Sequence, residues 1–68
     1  MRVTINGELF EIADPGTVYE LLNELKIEPA GVAVEVNFCI VKKMDYPTFI
    51  LNDGDKIKIE IVNFVGGG

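Results

Sequence analysis

The chain has 68 residues, a formal charge of −5 from 11 acidic against 6 basic side chains, and 49% hydrophobic content. This is one small domain with enough apolar material for a core, which sets disorder aside. The acidic balance argues against nucleic acid, whose phosphates call for clustered Lys and Arg. A single cysteine, Cys39, rules out an internal disulfide. The N-terminus alternates apolar and polar residues as a signal peptide would not, and no run approaches the ~18 apolar residues of a membrane span. The composition reads as cytoplasmic, with no membrane partner.

In chain order, residues 2–6 place Val3 and Ile5 on one face with Thr4 on the other, a strand pattern. Asn6-Gly7 suits a type I′ turn, and residues 8–13 return with Phe10 and Ile12 inward and Glu11 outward. Asp14-Pro15-Gly16 breaks the pattern. Thr17 and Glu20 have the spacing of a capping box. Val18, Leu21, Leu22 and Leu25 then form one apolar stripe, which predicts a helix of about three turns. Pro29 and Gly31 should stop it near Ile27.

Val32, Val34 and Val36 predict a third strand, and Ile40-Val41 a short edge piece. Residues 42–48 read as a loop or a single helical turn, with Phe49 and Leu51 tucked beneath. Gly54 supplies the left-handed residue of the turn at 52–55. The last strand, 56–64, should bury Ile57, Ile59 and Ile61 and expose Lys58 and Glu60.

A hairpin, a helix and then further strands require a crossover that lays the helix over the sheet. The expected fold is α+β: a ubiquitin-like β-grasp, with a mixed sheet of four to five strands and one helix on one face. Its first and last strands should lie parallel at the centre. The domain should span 1–64, with residues 65–68 as a flexible C-terminal glycine tail.

The catalytic inventory is negative. The chain contains no His, which removes the commonest general base and the Ser-His and Cys-His pairs. It has no zinc-ligand set, and Asp53 and Asp55 lack the rest of a calcium loop. No catalytic or metal-binding residue and no bound cofactor is expected. Cys39 reads as a small edge or buried residue.

The ending is different. Val62 and Phe64 share the parity of Lys58 and Glu60, so they should face away from the helix as a small docking patch. Beyond them, Val65, Gly66, Gly67 and Gly68 could span roughly 13 Å when extended. Glycines without Cβ can thread a narrow channel, so Val65, Gly66 and Gly67 read as a partner-channel tail. The Gly68 carboxylate has no side chain crowding it and could be activated on a nucleotide phosphate.

NGE at 6–8, TVYELLNEL at 17–25, VAVEVN at 32–37, LNDGDKIKI at 51–59 and NFVGGG at 63–68 together resemble the ThiS sulfur carriers of thiamine biosynthesis. The resemblance covers essentially the whole chain. It implies a carrier rather than an enzyme. Gly68 would be adenylated with ATP by a ThiF-type E1-like adenylyltransferase and converted to a thiocarboxylate with sulfur from a persulfide donor. The sulfur would pass to the thiazole synthase ThiG. Other readings of the same features are a MoaD-like carrier for molybdopterin or tRNA thiolation, a ubiquitin-like protein modifier, and a plain interaction module.

Overall fold

The computed structural model describes residues 1–14 and 16–62. Five strands and one α-helix follow in the order β1 (Arg2–Ile5), β2 (Glu8–Glu11), α1 (Val18–Glu24), β3 (Val32–Val36), β4 (Cys39–Val41) and β5 (Lys56–Ile61). Single 3-10 turns at Pro29–Gly31 and Lys43–Asp45 lie in the connections. The strands form one sheet in the order β2-β1-β5-β3-β4. β1 runs parallel to β5, while β2 on β1, and β3 on both β5 and β4, are antiparallel. First and last strands are therefore central neighbours, as expected.

The apolar alternation decides which face is covered. Val3 and Ile5 of β1, Val32, Val34 and Val36 of β3, Val41 of β4, and Ile57 and Ile59 of β5 are buried with Val18, Leu21 and Leu22 of α1. One helix can cover one face only, so the polar residues between them face outward. Register places Lys58 opposite Glu35 and Glu60 opposite Ala33 on that outer face.

The start of α1 is tightly determined. Thr17 Oγ1 accepts the Glu20 N–H at 3.2 Å, and Glu20 Oε1 accepts the Thr17 N–H at 3.0 Å, completing the predicted capping box. The next free donors are satisfied from farther along the chain. The Val18 N–H donates to the Phe49 carbonyl at 3.0 Å and the Tyr19 N–H to the Tyr46 carbonyl at 2.9 Å.

The end of α1 departs from expectation. The α-helix has seven residues rather than three turns. Lys26, not Pro29, stops it, by taking a left-handed φ of +60°. The Ile27 N–H then donates to the Leu22 carbonyl at 2.8 Å and the Lys26 N–H to the Asn23 carbonyl at 3.0 Å, the paired bonds of a Schellman motif.

Phe49 and Leu51 pack into the core as expected, Leu51 fully buried. Tyr46, in a stretch read as a loop or a single helical turn, is buried too, and its hydroxyl donates to the Val32 carbonyl at 3.1 Å.

Candidate functional site

Gly68, Gly67, Gly66, Val65 and Phe64 lie outside the described residues. What can be built upward is the base from which they leave. β5 occupies the middle of the sheet, so the base is an interior strand with a neighbour on each side. On one side the ladder to β3 continues to Val32 opposite Ile61. The Val62 N–H extends it by donating to the Gly31 carbonyl at 2.9 Å.

On the other side β1 pairs with β5 only at Thr4–Lys56 and Ile5–Ile57 before turning away. Asn6 takes over. Its Oδ1 accepts the Ile59 N–H at 2.8 Å and its Nδ2 donates to the Ile59 carbonyl at 3.1 Å, a side-chain amide standing in for a missing strand peptide. The sequence suggested Asn6 only as a turn former, and its φ of +50° before Gly7 at +85° confirms that role.

The apolar pattern at this exit differs from the expected one. Val62 is half-buried. Ile61, expected in the core, is 76% exposed. It keeps the inward parity of Ile57 and Ile59, but α1 ends at Glu24 and no longer covers the sheet there. Ile61 lines a shallow apolar concavity of about 320 Å³ with Phe10, Leu25 and Ile27.

A larger groove of about 550 Å³ runs along the outer face between Thr4, Asn6 and Gly7 on one side and Glu35 and Phe38 on the other, across Lys56. Phe38 is 83% exposed and Ile40 77%. Lysine and glutamate alternate on this outer face, whereas the exposed side of the helix segment carries Glu20, Glu24 and Glu28. The sequence reading passed over Phe38. The available signal was Asn-Phe in the place of a hairpin turn, where a left-handed second residue favours Gly.

Among the described residues no group of three or more Cys, Asp or Glu could hold a metal ion. No described helix is long and apolar enough to cross a membrane. Cys39 is exposed on the edge strand. Burial raises the pKa of Tyr46 above its ordinary value of 10.0, so it remains a neutral donor holding β3. Asp55 is buried, and its carboxylate accepts the Asn52 N–H at 2.8 Å and the Asn37 amide at 3.0 Å, which organises the turn before β5.

A mixed five-stranded sheet with one helix on one face, and parallel first and last strands at its centre, makes this a ubiquitin-like β-grasp protein. Its relatives narrow the class. The ThiS family model matches residues 3–68. The chain belongs to the ThiS family.

It is 35% identical over 57 residues to the sulfur carrier protein ThiS of Escherichia coli, covering 84% of this chain and 86% of that protein. It is 47% identical over 68 residues to a thiazole synthase of Paramagnetospirillum magneticum, where all of this chain spans only 20% of the relative. The crystal structure of the thiamine biosynthesis protein ThiS from Geobacter metallireducens superposes with a TM-score of 0.83 at 31% identity, covering 100% of both chains.

Proposed function

We propose that this chain is a sulfur carrier for thiazole formation, with Gly68 as the residue that carries the sulfur. The observation supporting this most directly is the family match, which runs through the glycine ending to residue 68. A segment like this chain also occurs within a thiazole synthase polypeptide. That favours ThiG as the acceptor over the molybdopterin, tRNA and protein-modifier alternatives.

The chemistry belongs to partners. A Gly68 carboxylate oxygen attacks the α-phosphorus of ATP on a ThiF-type enzyme and pyrophosphate leaves. The terminal sulfur of a persulfide donor attacks the acyl carbon and expels AMP. A thiol then cleaves the resulting S–S bond, freeing the thiocarboxylate and forming a disulfide on the donor side. This chain contributes a reachable carboxylate and a rigid base. The tail of Val65, Gly66 and Gly67 enters the partner channel, and Val62 and Phe64 flank its mouth. Gly66 and Gly67 suit such a channel because a peptide without Cβ is the narrowest the backbone allows.

The test is reconstitution with adenylyltransferase, ATP and a persulfide source, followed by intact-protein mass. The full chain should gain the mass of one oxygen exchanged for sulfur and should support thiazole formation. A chain lacking Gly67 and Gly68 should do neither. Undiminished sulfur transfer by the truncated chain would overturn the proposal.

A further inference from the structure

The sheet contains two hairpins built on the same plan. Each turns at an asparagine with left-handed φ, +50° at Asn6 and +53° at Asn37. Each asparagine side chain also ties the turn to β5. Asn37 Oδ1 accepts the Lys56 N–H at 3.0 Å, as Asn6 Oδ1 accepts that of Ile59. The plans diverge at the second turn position. The first hairpin places Gly7 there at φ +85°, and the second places Phe38 at φ +70°.

A bulky side chain at a left-handed residue costs stability, and burial could offset it. Phe38 gains little of it, since it is 83% exposed. Its ring lies under the Lys56 ammonium, 6.0 Å from the centroid. A strained residue that gains little in the free molecule points to use elsewhere.

The surroundings describe what would receive it. Ile40 faces outward beside Glu35 and is 77% exposed, adding a second apolar side chain to the same face. Lys58 lies opposite Glu35 across the ladder and Lys56 pairs in register with Thr4, and neither lysine forms a salt bridge among the described residues. An apolar anchor beside a lysine ammonium fits an apolar pocket with a carboxylate at its rim.

We infer that Phe38, supported by Ile40, anchors an interface on the outer sheet face, and that its occupant is such a pocket on the thiazole synthase. The choice of partner rests on the proposed function and on the occurrence of a similar segment within a thiazole synthase chain. The strain at the hairpin tip is retained because binding energy in the complex repays it.

The decisive variant is Phe38→Gly in the full chain, examined by thermal unfolding and by calorimetric titration with the thiazole synthase of the same genome. The melting temperature should rise by a few degrees as strain is relieved, while affinity falls roughly tenfold or more, as for an interface hot spot. Phe38→Tyr should bind like wild type. Lys56→Glu should weaken binding less, with a deficit that shrinks in high salt.

Wild-type affinity in Phe38→Gly overturns the inference. So does a lower melting temperature, which would make the ring part of the domain's own stability. A loss of affinity confined to the adenylyltransferase, titrated in parallel, overturns the choice of partner. If the wild-type chain binds no thiazole synthase, the proposed function fails first and this inference with it.

Discussion

The start of the helix and the exit of β5 are held by opposite strategies. At the helix start the first donors are all satisfied, two by the loop carbonyls of Tyr46 and Phe49 and the others by Thr17. Val18, Leu21 and Leu22 beneath it are 0% exposed. At the exit of β5, Ile61 stands 76% exposed beyond the reach of the helix, and Asn6 replaces a strand that has turned away. Apolar burial is complete beneath the helix start and incomplete at Ile61. The other end is firm in its backbone but leaves Ile61 uncovered, which suits a base for the segment proposed to enter a partner.

The comparison is most directly broken with paired truncations. Leu22→Ala should cost about 3 kcal/mol by opening a cavity, a large share of the ~3–10 kcal/mol expected of a domain this size. Ile61→Ala should change stability by no more than about 0.5 kcal/mol, because little of its area is buried. Urea unfolding of both variants tests this, and similar losses would refute the contrast between the two ends.

Gly16→Ala sharpens it further. Gly16 sits at φ +83°, and an added Cβ would collide with the Glu20 carboxylate that completes the capping box. Backbone strain and loss of the cap should together cost about 2 kcal/mol, measurable by thermal or chemical unfolding. A neutral result would mean the cap contributes nothing.

The smallest of the expected losses at the helix start is the most specific. Tyr46 joins the loop below the helix start to β3, and burial raises its pKa above 10.0. Its stabilising contribution is complete below the unfolded-state value and lost as pH rises through the folded one. Tyr46→Phe should cost about 1 kcal/mol at neutral pH by removing the bond to Val32, and should flatten the decline in stability above pH 10. An unchanged alkaline slope in the variant would exclude Tyr46 as its source.

Most of the fold was legible in the sequence because its strands and helix start are written in local chemistry. Strand alternation, Asn6-Gly7, the Thr17–Glu20 spacing and the turn at Gly54 each act over a few residues, and each corresponds to an observed element. The helix end was not legible, because a lysine in the left-handed region has no sequence signature comparable to glycine. Tyr46 was missed because its burial depends on residues distant in the chain.

The exit of β5 marks the same division. The sequence alone determined that a strand of alternating isoleucines leads into glycines ending at Gly68, because both patterns are local. Only the tertiary structure decided that Ile61 is uncovered, that Val62 is half-buried, and that Asn6 secures Ile59. Parity assigns a side chain to a face, but what covers that face depends on where the helix stops and which strand lies alongside.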